Sequence, residues 1–320
     1  MSAATLQVRV IAKTAEAQDI SSFVLVDADG GALPAFTAGS HIDVHPPGGL
    51  MRQYSLCNDP RERDHYWIGV LRETAGRGGS AAMHDHVNVG DILTISAPRN
   101  AFELNEGARH SILIAGGIGV TPIMAMAERL ALMGASFEMH YLARTRTRMA
   151  FHDYLLNRPY SSRIHLHFDD GAKDQLLDVP TRLRDYQAGV ELYLCGPKGL
   201  MDHVLAKCKH WPEHAVHREY FTAEPQAGAA GDKAFKVKIK SSGKIFDIPA
   251  NKTIVTVLAE NGIDLPISCE QGICGTCLTG VVEGTPDHRD CFLNDHERAA
   301  NDQFTPCCSR SKSDLLVMDL

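Results

Sequence analysis

The sequence lacks an excess of positive charge, a long apolar run and an N-terminal leader. Its 320 residues include 32 Lys and Arg against 39 Asp and Glu, a net charge of -7, so nucleic acid is not an expected partner. The longest apolar stretch, around residues 112–120, is short and interrupted by glycine, which excludes a membrane span of about 20 residues. The first residues show no charged segment followed by an apolar block. We therefore expect a soluble, cytoplasmic protein without a membrane partner.

Disulfides are not expected either, because a cytoplasmic chain has little use for them and nine cysteines cannot all pair. The cysteines are unevenly distributed along the chain. Three of them are scattered over the first 230 residues, at Cys57, Cys195 and Cys208. The other six lie close together after residue 268, at Cys269, Cys274, Cys277, Cys291, Cys307 and Cys308. The C-terminal part of the chain is therefore where a metal site is expected.

The sequence changes character twice along its length. Residues 1–105 contain short strands separated by Gly and Pro, a pattern typical of a small antiparallel barrel. Residues 106–226 contain buried apolar strands that alternate with helical stretches, which favours a parallel sheet with covering helices. A small, polar segment over residues 224–232 resembles a flexible connection. Residues 227–320 then form a third predicted domain, although the length alone suggests about two.

Four cysteines have the spacing of a plant-type 2Fe-2S cluster, in which four thiolates hold two irons. They are Cys269, Cys274 and Cys277, in a C-x4-C-x2-C pattern, and Cys307, which follows after 29 residues. Gly272 and Gly275 allow the loop to fold tightly around the sulfurs and direct backbone N–H groups at a negatively charged cluster. A structural zinc site is the alternative, but such sites usually use two C-x2-C pairs and this loop has one. Cys308 competes with its neighbour for the role of fourth ligand, and Cys291 is expected to be an ordinary thiol.

Several motifs in one order make nearly the whole chain resemble the phthalate dioxygenase reductase family. This family comprises the class IA reductases of Rieske oxygenase systems, including vanillate O-demethylase reductases. The matching segments are residues 52–59 (RQYSLCND), 77–80 (RGGS), 115–122 (AGGIGVTP), 195–197 (CGP), 269–277 (CEQGICGTC) and 307–310 (CCSR). The resemblance implies a multi-domain α/β and β protein. Its parts would be an antiparallel flavin-binding barrel (1–105), a parallel α/β NAD-binding domain (106–226) and a C-terminal β-grasp plant-type ferredoxin domain (227–320).

The predicted flavin site centres on the RQYS segment. An arginine can clamp a phosphate, an aromatic ring can pack against the isoalloxazine, and a serine hydroxyl can bond the polar edge of the flavin. A glycine-rich turn that leads into a helix presents free N–H groups to a phosphate. The resemblance implies FMN rather than FAD and an aromatic cover at Phe221. The predicted FMN residues are Arg52, Gln53, Tyr54, Ser55, Val70, Leu71, Arg72, Arg77, Gly78, Gly79, Ser80, Thr121 and Phe221.

The predicted nucleotide site lies where buried strands end, which is where open parallel sheets bind ligands. Thr121 is expected to cap the helix that follows the first of these strands. The predicted NAD residues are Gly116, Gly117, Gly119, Thr121, Arg144, Asp170, Cys195, Gly196 and Pro197. The resemblance places Cys195 beside the nicotinamide, although a buried core thiol is the alternative. NADH is favoured over NADPH, because Asp169 and Asp170 follow one strand, although Arg144, Arg146 and Arg148 follow another and could bind a 2'-phosphate.

The function implied by these sites is electron transfer. We expect NADH to deliver a hydride to FMN, and single electrons to pass through the 2Fe-2S cluster to a Rieske-type oxygenase. The cofactors carry the chemistry, so no side chain is assigned as a catalytic acid or base. One alternative is a redox-sensing or binding module with structural zinc. Another is a stand-alone NAD(P)H reductase that serves a cytochrome P450 or another ferredoxin-type acceptor. A monomer is expected, and the substrate of the partner is not encoded in this chain.

Overall fold

The computed structural model of the chain describes residues 5–74, 78–172, 175–221 and 231–320. It divides into two compact units, residues 1–219 and 220–320. The first unit contains an antiparallel sheet followed by a parallel sheet, and the second contains a mixed sheet. The predicted boundary near residue 226 lies outside the described residues, and the three-domain division stays a prediction. Among the described residues, none of the helices combines the length and the apolar character that crossing a membrane requires.

The antiparallel sheet of the first unit has the order β4-β3-β6-β1-β2-β5, with β7 paired to β3. Its elements are β1 (Thr5–Ala17), β2 (Ile20–Asp27), β3 (Ser40–His45), β4 (Arg52–Ser55), β5 (Tyr66–Leu71), α1 (Gly79–His86), β6 (Ile92–Ser96) and β7 (Arg99–Asn100). Alternate residues such as Val8 and Val10 are fully buried, which is the period-two pattern of a strand with one face on the core. An isolated bridge from Leu56 to Ile68 joins the two edges of the sheet. The sheet therefore closes into the predicted barrel.

The parallel sheet of the first unit has the order β10-β9-β8-β11-β12. Its elements are β8 (His110–Gly116), α2 (Val120–Leu132), β9 (Phe137–Ala143), α3 (His152–Leu156), β10 (Ile164–Phe168), α4 (Val179–Arg182), β11 (Val190–Cys195), α5 (Lys198–Lys207) and β12 (Val216–Glu219). The strand order reverses at β8: the chain adds β9 and β10 on one side of β8, and then β11 and β12 on the other side. In such sheets a ligand binds outside the carboxyl ends of the strands, near the point of reversal.

The second unit is a mixed five-stranded sheet with the order β14-β13-β19-β15-β17, beside the small pair β16-β18. Its elements are β13 (Phe235–Ile239), β14 (Ile245–Ile248), α6 (Ile254–Glu260), β15 (Thr279–Glu283), β16 (Pro286–Asp287), α7 (Asp295–Ala300), β17 (Gln303–Phe304), β18 (Arg310–Ser311) and β19 (Leu315–Met318). The Thr253 hydroxyl caps α6 by accepting the Thr256 amide at 3.2 Å. Buried Ile254 and Leu258 fix the helix to the sheet. This arrangement agrees with the predicted β-grasp fold.

Arg310 of the CCSR motif is a structural residue of the second unit. Its side chain is buried, and its Nη2 atom donates to the carbonyls of Lys233 and Pro249 at 3.0 and 3.1 Å. Its Nη1 atom donates to the carbonyl of Lys252 at 3.0 Å. Because a buried guanidinium without partners would be costly, these carbonyls account for its burial. Arg310 thereby joins the segment after Cys307 to the chain that enters the second unit.

Candidate functional site

Arg52 lies against the first turn of α1, as a phosphate site requires. A Cβ on Gly79 would come within 2.7 Å of the Cγ and Nε atoms of Arg52, so only glycine admits the guanidinium this closely. Gly78 precedes the helix with φ of 94°, which favours glycine. The Arg52 Nη1 atom donates to the Met51 carbonyl at 2.7 Å. The arginine and the N-terminal amides of α1 can therefore share one phosphate. The predicted contact of Arg77 lies outside the described residues.

Tyr54 follows on the same face of β4 and packs against the barrel core. Its hydroxyl is buried and has no hydrogen-bond partner among the described residues. Burial raises the pKa of Tyr54 above its usual value, and the charge of Arg52 opposes this shift. A buried hydroxyl normally has a partner. The hydroxyl therefore fits a polar group of a bound cofactor, in agreement with the predicted flavin contact.

Ser55 connects the barrel to the ends of two parallel strands. Its hydroxyl donates to Oε2 of Glu219 at 3.4 Å, and Glu219 is paired in register with Cys195 of β11. Burial raises the pKa of Glu219 to about 8, although the Ser55 hydrogen bond lowers it. Burial, and then the charge of Glu219, raise the pKa of Cys195. At neutral pH both groups are therefore largely uncharged.

Glu219 was not identified from the sequence. The available signal was its position, because it is the last residue of the strand that precedes Tyr220 and Phe221. A carboxylate at the carboxyl end of a parallel strand lies at the edge where ligands bind. A short strand with mixed polarity, however, gives no indication that burial raises the pKa of its last side chain. The contact with Ser55 joins residues that are 164 positions apart.

The glycine loop after β8 and the CGP loop after β11 are in direct contact. A Cβ on Gly119 would lie 2.4 Å from the carbonyl oxygen of Cys195 and 2.7 Å from the amide nitrogen of Gly196. A Cβ on Gly116 would lie 2.8 Å from Cδ of Pro197. Both glycines are thus required by close approach of the two loops. The structure brings together the two sequence motifs predicted for the nucleotide.

Thr121 lies where the barrel meets the parallel sheet. A Cβ on Gly69 of β5 would come within 2.8 Å of Cγ2 of Thr121 and 3.0 Å of the Phe151 ring. The Thr121 hydroxyl donates to the Ile118 carbonyl at 3.0 Å. Helix α2 begins at Val120, with Gly119 as its N-cap. The expectation that Thr121 caps this helix is therefore wrong, because the preceding short helical turn continues directly into α2.

The remaining predicted flavin residues are more dispersed. The side chain of Val70 points into the barrel core, and its carbonyl lies 2.9 Å from Nε2 of His84. Arg72 forms an ion pair with Asp85. Gln53 donates to Asp43 at 3.1 Å, Ser80 accepts from the Glu73 amide at 3.0 Å, and Leu71 and Phe221 are half-buried. Flavin contacts of these residues stay predictions.

Arg144 and Asp170 follow β9 and β10 and are both exposed. The amide of Asp170 donates to the carbonyl of Arg144 at 3.3 Å. They therefore share the carboxyl edge of the sheet with the two glycine loops. Arg146, in contrast, points to Asp153, with 3.5 Å between Nη2 and Oδ1. A basic and an acidic side chain are thus both available where a ribose would lie.

The four predicted cluster thiols lie as two contacting pairs, Cys269 with Cys274 and Cys277 with Cys307. Among the residues that the structure describes, no three metal-ligating side chains form a group that would hold a single ion. The amides of Gln271 and Ile273 donate to the Cys269 sulfur at 3.3 and 3.4 Å. Two thiolates for each of two irons, with N–H donors at sulfur, is the arrangement that a 2Fe-2S cluster uses.

Two glycines shape the loop around these thiols. Gly272 and Gly275 have φ of 71° and 67°. A Cβ on Gly272 would lie 2.4 Å from the Cys308 sulfur, and one on Gly275 would lie 2.3 Å from the Phe292 ring. Positive φ and close approach therefore both require glycine. These two constraints explain why the loop sequence has glycine at both positions.

Known proteins resemble both the C-terminal cysteine-rich region and the chain as a whole. Residues 237–312 match the family described as the 2Fe-2S iron-sulfur cluster binding domain. The vanillate O-demethylase oxidoreductase of Pseudomonas sp. (strain HR199 / DSM 7063) is 51% identical over 317 residues, which cover 98% of this chain and 100% of that protein. The match to a cluster-binding domain supports iron and sulfur rather than zinc.

Two solved structures resemble nearly the whole chain. Phthalate dioxygenase reductase, described as a modular structure for electron transfer from pyridine nucleotides to 2Fe-2S, is 41% identical with a TM-score of 0.76. The match covers 99% of this chain and 98% of that one. An intact type IV self-sufficient cytochrome P450 monooxygenase is 37% identical with a TM-score of 0.86, but this chain corresponds to only 41% of it.

These similarities confirm the predicted fold class and the predicted enzyme class. The chain is an oxidoreductase that uses FMN, a 2Fe-2S cluster and a pyridine nucleotide, and it is the reductase component of an oxygenase system. The expected similarity to a whole reductase, rather than to one of its domains, is also confirmed by the coverage of both chains. By its sequence and its fold, the chain belongs to the phthalate dioxygenase reductase family.

Proposed function

We propose that this chain is the NADH-dependent reductase of a Rieske-type oxygenase that demethylates vanillate. The observation that carries this proposal is the 51% identity, over the full length of both chains, to a vanillate O-demethylase oxidoreductase. We also propose that it acts as a cytoplasmic monomer without nucleic acid or membrane partners. Size-exclusion chromatography of the purified holoenzyme tests the oligomeric state, and a dimer at micromolar concentration would contradict that part of the proposal.

The chain's contribution to the reaction is to hold the cofactors in place. Arg52 and the first turn of α1 would bind the FMN phosphate, the Tyr54 hydroxyl would bond a polar group of the cofactor, and Ser55 would approach its reactive edge. When bound, FMN accepts two electrons as a hydride and gives them up singly, and the cluster passes them on. The support for these assignments is the contact of Arg52 with Gly79 and the buried Tyr54 hydroxyl, which has no hydrogen-bond partner among the described residues.

Glu219, Cys195 and Ser55 would keep the region of hydride transfer free of charge. The raised pKa values of Glu219 and Cys195 mean that neither group is largely ionised at pH 7. Hydride transfer brings negative charge into this region, which an ionised neighbour would oppose. The hydroxyl of Ser55 and the acid form of Glu219 are both able to donate hydrogen bonds there.

NADH is proposed over NADPH because of Asp170. An acidic residue near the end of a strand binds ribose hydroxyls and repels a 2'-phosphate. Arg144 opposes this preference, since it lies beside Asp170 and carries the charge that a 2'-phosphate needs. The ratio of kcat/KM for NADH and NADPH tests the assignment. A higher value with NADPH would contradict it, and Arg144→Ala should then reduce that value selectively.

Cys269 and Cys274 would bind one iron, and Cys277 and Cys307 the other. In the variant Cys274→Ala we expect loss of the cluster, because one iron would be left with a single protein thiolate. Reduction of cytochrome c by NADH should fall to background, while reduction of ferricyanide through the flavin should remain within about twofold of the wild type.

Cys291→Ala serves as the matched control for this variant. Its thiol lies in the same part of the chain and outside the proposed ligand set, and the variant should retain iron, acid-labile sulfide and full cytochrome c reduction. A Cys274→Ala protein with an intact visible spectrum and normal electron delivery would refute the ligand assignment. The readouts are iron content, visible absorption and the two acceptor assays.

The partner is tested by reconstitution. The purified reductase is mixed with NADH and the Rieske component of a vanillate demethylase, and the demethylated product is measured. We expect turnover that depends on all three. A cytochrome P450 partner is the second candidate, because a self-sufficient P450 contains a region similar to this chain. Rapid haem reduction in a separate P450, without vanillate turnover by the Rieske component, would favour that candidate instead.

A further inference from the structure

Cys308 is a thiol next to the proposed cluster that the four ligands leave unused. It is buried and packs with Cys277 and Cys307. Its sulfur fills the space beside Gly272, where a Cβ would come within 2.4 Å of it. Cys308 therefore contacts both segments of chain that supply the ligands, the loop over residues 269–277 and the turn that carries Cys307.

Two buried hydroxyl groups surround the Cys308 sulfur. The distance from Thr305 Oγ1 is 3.3 Å and that from Ser309 Oγ is 3.8 Å. These hydroxyls also contact each other, at 3.1 Å. The Ser309 hydroxyl accepts a hydrogen bond from the Arg289 amide at 3.2 Å, so its own proton is available to Thr305 or Cys308. Each hydroxyl can donate to the sulfur or accept from it, and the S–H of Cys308 is also placed to donate to the Thr305 carbonyl at 3.8 Å.

The Cys307 sulfur is a second acceptor within reach of the Cys308 S–H, beside the Thr305 carbonyl. The side chains of Cys307 and Cys308 are in hydrogen-bond contact. A thiolate bound to iron has no proton and can only accept. In the loaded protein, therefore, a hydrogen bond between the two sulfurs has Cys308 as its donor, and the charged sulfur is a stronger acceptor than the Thr305 carbonyl.

We propose that Cys308 is a tuning residue that donates its S–H to the ligating sulfur of Cys307 and raises the reduction potential of the cluster. This inference rests on the proposed ligation by Cys307. Reduction adds one negative charge to the cluster, and a hydrogen-bond donor at sulfur stabilises the reduced form more than the oxidised form. Thr305 and Ser309 hold the donor in place through the contacts described above. No bond is formed or broken, and the thiol keeps its proton.

The experiment is a redox titration of the full-length holoenzyme, followed by the EPR signal of the reduced cluster. Cys308→Ala removes the donor, Cys308→Ser keeps one, and Cys291→Ala is the control at a cysteine outside the proposed ligand set. At a fixed poise we expect the ratio of reduced to oxidised cluster to fall about fivefold in Cys308→Ala, the worth of one ordinary hydrogen bond. The ratio should remain near the wild-type value in Cys308→Ser and in Cys291→Ala.

An unchanged midpoint potential in Cys308→Ala, with iron content and FMN content intact, would overturn the proposal. So would an equal shift in Cys308→Ser, because packing rather than donation would then be responsible. Loss of iron from Cys308→Ala but not from Cys307→Ala would show that Cys308 is the fourth ligand. That result would overturn both this inference and the ligand assignment, whereas the first two results leave the assignment standing.

Discussion

Glu219 is the residue whose protonation should be visible in the pH dependence of the reaction. Because its pKa is about 8, Glu219 changes from mostly neutral to mostly ionised between pH 7 and pH 9. Above that pH the carboxylate opposes arriving negative charge, so flavin reduction by NADH should slow on the order of tenfold between pH 7 and pH 9.5. Glu219→Gln is neutral at every pH and should keep the pH 7 rate without this decline. Stopped-flow absorption of the flavin measures both profiles.

The same decline in Glu219→Gln would assign the titration to another group. Ser55→Ala separates the two effects of the contact, because its hydrogen bond lowers the pKa of Glu219. Removing the hydroxyl should therefore move the decline to higher pH and leave its size unchanged. A decline that moves to lower pH would contradict the role of Ser55 as a donor to the carboxylate.

The site residues predicted from the sequence stay predictions, and the sequence did not indicate the partners that the structure gives them. Arg52 and Tyr54 are two residues apart in β4, and the structure places Arg52 against Gly79 and Tyr54 against the barrel core. The contact of Ser55 with Glu219 depends instead on how the barrel is oriented on the parallel sheet. No local pattern encodes that orientation, because it results from packing such as that of Gly69 on Thr121.

At the scale of elements, the contact between the β8 and β11 loops has a direct steric test. Gly119→Ala would place a Cβ 2.4 Å from the Cys195 carbonyl, and backbone atoms cannot rotate away. We expect a loss of about 1–3 kcal/mol in stability and a higher KM for NADH. Gly199→Ala in α5 is the control, since nothing lies within 4 Å of its Cβ. It should be neutral or stabilising by up to about 1 kcal/mol. Thermal unfolding and steady-state kinetics measure these effects, and equal behaviour of the two variants would contradict the argument.

The edge of the parallel sheet carries a group of histidines with a predictable response to pH. His165 and His167 of β10 stack on His140 of β9, with ring centroids 5.0 and 5.3 Å apart. Burial lowers the pKa of both His165 and His167. The charge of His140 lowers the pKa of His165 further, whereas a hydrogen bond to the Gln175 carbonyl partly opposes the shift of His167. Folding therefore favours their neutral forms. Their contribution to stability is complete above the unfolded pKa of about 6.5 and is lost as the pH falls through the lowered folded values.

We accordingly expect the melting temperature of the holoenzyme to fall between pH 7 and pH 5. The double variant His165→Gln/His167→Gln should show a smaller fall, and His214→Gln, at an exposed position, should follow the wild type. Differential scanning fluorimetry at constant ionic strength measures the three curves. Parallel curves for the wild type and the double variant would show that these histidines do not cause the acid sensitivity.

For the molecule as a whole, the sequence predicted the antiparallel and parallel sheets, whereas the divisions between them stay predictions. Continuous apolar runs indicate the buried strands of a parallel sheet. The cysteine spacing predicts a cluster loop, because the thiolates must converge on adjacent irons. Where a compact unit ends depends on contacts between distant segments. Arg289 binds Asp232 at 2.6 Å between Nη2 and Oδ1, and Arg310 binds the carbonyl of Lys233. No sequence pattern near Asp232 predicts either contact.

These contacts decide where the chain can be cut. Asp232 and Lys233 are held by residues of the second unit itself, so removal of residues 232–320 takes away a self-contained part of the chain. The remaining fragment keeps the proposed FMN and NADH residues of the first unit. We expect it to fold, to bind FMN and to reduce ferricyanide with NADH at a rate within a few-fold of the full chain, while cytochrome c reduction is lost with the cluster. Flavin content by absorption, thermal unfolding and the two acceptor assays measure this. A soluble fragment that cannot retain FMN would mean that residues after 231 complete the flavin site, and the proposed division of the chain would then be wrong.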